Sequence, residues 1–268
     1  MRTERLLIAL ALVIAGVQVV QADPVVIDGV WYSSAPAPGE FPNDYMEIGV
    51  DSFANSPTND FGGARYVHAP ANCRILCNAL LNGMACTEGD LLYNPGDDWW
   101  WDVDGNGTCA KFAYKNATGG RYGNIASFGT FLTSANESDT QRFGHGVYVG
   151  ISFYAASDNP SDDWTGVPMA QVNLVANIDP ARFGGQNSNL GAFWHAEFPL
   201  RWNWTKYYVL FKDLAPPANN PGAVFQDKAT AIEFQQSDRE NAVTSKFDTG
   251  TIYIDHISLL RPWSGVSR

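Results

Sequence analysis

Basic side chains are scarce and scattered: Lys and Arg total 17 against 28 Asp and Glu, for a formal net charge of −11. A surface that grips phosphate backbones needs clustered Lys and Arg, so this shortage argues against nucleic acid as a partner. Long apolar runs are also missing, apart from Leu6 to Val20 behind Arg2 and Arg5. That run, followed by the small-residue site Val20-Gln21-Ala22, reads as a signal peptide over 1–22 and predicts secretion, extracellular or periplasmic. No later segment approaches the roughly 20 apolar residues of a membrane-spanning helix. Neither G-x-S-x-G nor H-E-x-x-H occurs, which leaves serine-hydrolase and zincin chemistry without support. Internal repeats, low-complexity tracts and a second composition regime are absent as well, which points to one domain.

Cysteines are few, and all lie in one stretch: Cys73, Cys77, Cys86 and Cys109. In an exported chain this predicts two disulfides, with three possible connectivities, pinning an insertion over 72–109. A zinc site is the weaker alternative, because the gap from Cys86 to Cys109 breaks the usual pairing of ligands into close doublets.

What is plentiful is β-branched and aromatic sequence punctuated by Pro, Gly, Asn and Asp. The runs "VVIDGVW", "ARYVHA", "CAKFAYK", "GVYVGISFYA", "MAQVNLVA", "AFWHAEF", "KYYVLF", "ATAIEFQ" and "GTIYIDHISLL" predict an all-β sandwich. Only "CRILCNALLNGMA", inside the cysteine-bearing segment, reads as a helix. Strand alternation then assigns faces. Val172 and Leu174 point to the core and Gln171 and Asn173 away from it; Ile232 and Phe234 point inward, Glu233 and Gln235 outward. Trp194 and Phe198 share one face, with Phe193, His195 and Glu197 opposite. Outward polar residues are ordinarily just solvated. If these strands form one sheet, however, their outer face collects amide, imidazole and carboxylate groups among aromatic rings.

Several stretches in order resemble the β-jelly-roll carbohydrate-binding modules that accompany cellulases and β-glucanases, within the galactose-binding-like superfamily. They are "VDSFANSPTNDFGG" (50–63), "VYVGISFYAAS" (147–157), "WTKYYVLFKDL" (204–214) and "AIEFQ" followed by "GTIYIDHISLL". The resemblance spans about Tyr45 to Pro262 and implies a jelly-roll sandwich of two antiparallel sheets that binds polysaccharide or a cell-surface glycan. Against it, 72–109 is an insertion, 23–44 an added strand and linker, and 263–268 a tail. The resemblance also implies a structural Ca²⁺ held by Asp51 and Asp255. Alternation places Asp255 with Ile257 and Leu259, so its carboxylate needs either a cation or good hydrogen bonds.

The candidate sugar contacts are Trp99, Trp100 and Trp101, whose indole faces suit the C–H faces of pyranoses, together with Gln171, Asn173, His195 and Glu197. Three successive strand residues cannot share one face, so at least one of the three Trp rings packs elsewhere. Trp164 repeats the acid-then-Trp pattern in a loop, Trp204 reads as core, and Trp202 is left open. "DVDGNG" (102–107) has the first ligand positions of an EF-hand, but its twelfth position is Ala113 instead of Glu, so it reads as a turn. Sequons begin at Asn106, Asn116, Asn136 and Asn203 and matter only in a host that glycosylates them. The favoured function is non-catalytic polysaccharide binding. The alternatives are a secreted surface-matrix or filament subunit, and a lyase or glycosidase with His195 and Glu197 as its acid/base pair.

Overall fold

The computed structural model describes residues 23–35, 45–53, 59–63, 65–68, 74–75, 92–93, 109–115, 127–132, 148–157, 169–176, 192–217, 229–236 and 249–262. Strands follow one another as β1 (Val25–Ile27), β2 (Val30–Tyr32), β3 (Tyr45–Asp51), β4 (Arg65–His68), β5 (Arg74–Ile75), β6 (Leu92–Tyr93) and β7 (Cys109–Lys115). They continue as β8 (Ser127–Phe131), β9 (Gly150–Ser157), β10 (Met169–Ala176), β11 (Ala192–Pro199), β12 (Thr205–Leu210), β13 (Ala229–Gln236) and β14 (Thr249–Pro262). A 3₁₀ turn at Phe211–Asp213 follows β12. Each of the nine runs read as strands from β-branched and aromatic enrichment carries one, and "VVIDGVW" carries two. Asp28 and Gly29, both at positive φ, make the tight turn of that hairpin. Of the run expected to be helical, the described residues Arg74 and Ile75 are strand β5, paired with β7; the rest lies outside the described residues.

The strands form a β-sandwich of jelly-roll type. One sheet is ordered β1-β2-β12-β9-β14-β7-β5, with β3 on β14 and β6 on β7; the other is ordered β11-β10-β13-β8-β4. The two sheets are antiparallel as expected, with one parallel pairing among the described strands, that of β12 with β2. Segment 72–109 contributes β5 and β6 to the larger sheet through β7.

Alternation supplies the core. Phe112, Phe153 and Tyr207 from the larger sheet meet Phe128, Phe198 and Phe234 from the smaller, with ring centroids 4.8 to 5.2 Å apart across the interface. These offset and edge-on contacts suit aromatic quadrupoles and lock the two layers in register. Small outer-face clusters lie on the far side of the larger sheet. Tyr32, Tyr208, Leu210 and Leu260 form one, and Cys109, Ala156 and Tyr253 form another. Trp204 packs, partly buried, on the second cluster.

A second departure comes from β14. His256 sits at φ +50° in a bulge, and the register slips between Asp255 and Ser258. Ile252 and Ile254 face the core before the slip, Ile257 and Leu259 after it. The extra residue therefore reverses the alternation. Asp255 is in step with Tyr253 and with its partner Tyr154, instead of with Ile257 and Leu259 as strict alternation predicts.

Candidate functional site

The outer face of the five-stranded sheet is built by register. His195, Asn173, Glu233, Gly129 and Tyr66 stand in one row, each opposite the next on neighbouring strands. The adjacent row reads Glu197, Gln171, Gln235, Ser127. On the other side lies Phe193, Val175, Ala231, Phe131. The expectation that β10, β11 and β13 share a sheet is met, and Gln171, Asn173, His195 and Glu197 are brought together: Gln171 opposes Glu197, and Asn173 opposes His195.

Hydrogen bonds tie the middle row together. Gln171 Nε2 donates to Asn173 Oδ1 at 2.7 Å, and Asn173 Nδ2 donates to Glu233 Oε1 at 3.3 Å. Tyr66 donates its hydroxyl to Glu233 Oε2 at 3.0 Å. Tyr66 reaches Glu233, two strands away, because the residue between them is glycine. A Cβ on Gly129 would sit 2.5 Å from Tyr66 Cζ, so only a bare α-carbon lets the ring lie across β8. Gln171, Asn173 and Glu233 are buried, His195 and Glu197 half-buried, and Phe131 and Phe193 exposed at 40% and 36%. Burial lowers the His195 pKa from its ordinary 6.5, against smaller upward effects of a backbone hydrogen bond and of Glu197. Burial likewise raises the Tyr66 phenol well above its ordinary value, helped by the Glu233 carboxylate.

Tyr66, Phe131 and Glu233 were not among the residues singled out from sequence. Glu233 was legible in the alternation of "AIEFQ". Tyr66 was not, because its role depends on Gly129, sixty-odd residues further along the chain. Trp99, Trp100, Trp101 and Trp164 lie outside the described residues, as do Cys73, Cys77 and Cys86. Cys109 is buried on the outer side of β7. Trp202, left open in the sequence, is 49% exposed in the loop before β12.

The two carboxylates expected to hold calcium do not converge. Asp51 points between the sheets, where Oδ1 accepts from Arg65 Nη2 at 2.6 Å and from the Phe53 N–H at 2.9 Å. Its Oδ2 accepts from Arg65 Nε at 2.8 Å and from the Thr130 hydroxyl at 3.2 Å. The fork of a guanidinium fills the place a cation would need. Asp255 is completely buried and accepts from the His256 N–H at 2.8 Å, but the bulge sets it in step with the opposite face of the sheet. These residues do not fit a shared Ca²⁺. Among the described residues no cluster of three or more His, Cys, Asp or Glu stands ready to hold a metal.

No protein-family model matches the chain, and no curated protein matches it. Among solved structures, it is similar to the family 11 carbohydrate-binding module of the cellulosomal cellulase Lic26A-Cel5E of Clostridium thermocellum. Identity is 12%, TM-score 0.48, with 81% of this chain and 95% of that one covered. The family 11 module from Clostridium thermocellum in complex with a β-1,3-1,4-mixed-linked tetrasaccharide gives 12%, 0.47, 80% and 94%. A module of family 28 specific for non-crystalline cellulose gives 11%, 0.32, 59% and 77%. The sandwich itself stands on the strand register described above.

Proposed function

We propose that the chain is a secreted, non-catalytic polysaccharide-binding protein whose sugar lies across the strands on the outer face of the five-stranded sheet. The observation that carries this reading is the set of registered rows. Phe193 and Phe131 stand three strand intervals apart, about 14 Å at the usual inter-strand spacing, with only Val175 and Ala231 between them. A chain of a few pyranose rings stacks at its two ends on these phenyl faces and passes over a low floor. The amides, imidazole and carboxylates of the neighbouring rows then meet its hydroxyls. Because the Gln171–Asn173–Glu233–Tyr66 network is already hydrogen-bonded, these groups are held in place before sugar arrives and little ordering is lost on binding. Trp99, Trp100 and Trp101 remain proposed rim contacts.

A second reading rests on His195 and Glu197, which share a face of β11 and would serve as an acid/base pair in a lyase or glycosidase. Affinity electrophoresis of the mature chain through gels containing soluble β-glucans, xylans, mannans, galactans or alginate, with the polysaccharides checked for cleavage, separates the readings. The proposed function expects retardation without cleavage, reduced about tenfold or more in a Phe131→Ala/Phe193→Ala variant. Cleavage lost in His195→Ala would replace it with the enzyme. Free migration in every gel would favour a structural subunit.

A further inference from the structure

The charge on this face says more about its ligand than its shape does. Glu197 on β11 and Glu233 on β13 stand two strands and one row apart, about 12 Å by ordinary sheet spacings. Asn173 and Gln171 fill the positions between them, and the described outward-facing residues of the five strands include no Lys or Arg. Arg65, the cation that β4 contributes, is turned inward and committed to Asp51.

We infer that this face is a charge filter, in which Glu197 and Glu233 admit uncharged glycans and reject those carrying uronate or sulfate. The inference rests on the polysaccharide-binding reading of the same face. A glycan stacked on Phe193 and Phe131 runs one row, about 7 Å, from Glu233 and two rows, about 14 Å, from Glu197, so it is the substituents projecting over the middle row that lie between the two carboxylates. With the two about 12 Å apart, an acidic group anywhere between them lies within about a Debye length, ~8 Å at physiological salt, of at least one. Half-buried surroundings weaken screening further, and like charges brought together across an interface discriminate against the wrong partner more sharply than missing contacts do. His195, the nearest group able to turn positive, is kept neutral around pH 7 by its burial, so it supplies no compensating charge. A neutral sugar meets the opposite situation, since each carboxylate oxygen is a strong acceptor for a hydroxyl.

The test uses the β-glucan, mannan or galactan that retards the full mature chain most strongly, the same polymer oxidised at its C6 hydroxyl to the uronate, and the methyl ester of that product. The ester restores neutrality without restoring the original hydroxyl, so it separates charge from a lost hydrogen bond. The filter expects the uronate to bind at least tenfold more weakly than its ester, and the gap to narrow in 1 M salt. It also expects Glu197→Gln to narrow the gap at low salt and Glu197→Gln/Glu233→Gln to narrow it further. Glu197 is half-buried and outside the Tyr66 network, so the single variant carries the test even where the double variant does not fold. Equal binding of uronate and ester, or a gap that neither salt nor Glu197→Gln changes, overturns the filter and leaves polysaccharide binding standing. Retardation by alginate with no neutral polymer bound overturns the filter alone, and free migration in every gel overturns both.

Discussion

At the residue scale, the site depends on one missing side chain and one buried ring. Gly129→Ala should push Tyr66 off Glu233, because the new methyl has backbone on its other side: Ile232 O lies 2.8 Å from the Cβ position. Tyr66→Phe removes only the hydroxyl, which donates to the buried Glu233 carboxylate, and should cost about 1.5–3 kcal/mol of stability. Urea denaturation of both variants, with polysaccharide retardation as a second readout, should show Gly129→Ala as the more damaging in each. Equal behaviour would mean that the ring's position across β8 is unimportant. His195 predicts a pH effect whose sign follows from burial. Its folded pKa lies below the unfolded value near 6.5, so the unfolded chain binds the proton more readily. Stability from this group is complete above about pH 6.5 and falls as pH drops through that value toward the lower folded pKa. Chemical denaturation of wild type and His195→Gln from pH 5 to 8 should show their difference in stability changing below pH 6.5 and flat above it.

At the element scale, β14 is the strand on which alternation misleads. A single bulge at His256 lets one strand line the core on both sides of the slip and pair with β9, β7 and β3 along its length. The left-handed conformation at φ +50° strains any residue with a side chain, His less than most and a β-branched residue more. His256→Val should therefore destabilise by about 1–3 kcal/mol. His256→Gly should come out near neutral, since relief of strain offsets the roughly 0.5–1 kcal/mol of chain entropy that glycine adds. Urea midpoints of the pair measure this, and a valine variant as stable as the glycine one would show that the bulge is not held in that conformation.

At the scale of the whole molecule, the two sheets are joined by aromatic packing and by a buried ionic pin. Asp51 on β3 and Arg65 on β4 belong to different sheets, and both are almost fully buried. Thr130 and Asn59 extend the pin, because Asn59 Nδ2 donates to Thr130 Oγ1 at 2.8 Å while its Oδ1 accepts from the N–H groups of Phe61 and Gly63. Removing one partner strands a buried charge, so Arg65→Met should cost about 3–5 kcal/mol. The double variant Arg65→Met/Asp51→Leu should recover much of that, as measured by calorimetric melting. Melting in excess EDTA should leave the Tm of the wild type unchanged, because Arg65 already neutralises Asp51; a clear drop would show a bound cation held by other residues.

Local chemistry, which is all that sequence carries directly, determined a good deal of this protein. Enrichment in Val, Ile, Tyr and Phe between turn formers marked the strands from "VVIDGVW" to "GTIYIDHISLL", and period-two alternation told which side chains of β10, β11 and β13 leave the core. That was enough to name Gln171, Asn173, His195 and Glu197 as a group, since each faces outward on its own strand. β3 and β8 drew less notice, the one acidic and glycine-bearing at its end, the other short with a glycine at its centre. What tertiary structure alone decided was register and parity. Glu233 meets Asn173, and Tyr66 crosses Gly129, only because strands far apart in the chain align at particular residues. Asp51 meets Arg65 from the facing sheet, and Asp255 turns with the opposite face because one extra residue at a bulge reverses the alternation of β14. The physical reason is common to all of these: alternation is a property of one strand, while pairing, bulging and the company a carboxylate keeps are settled between strands.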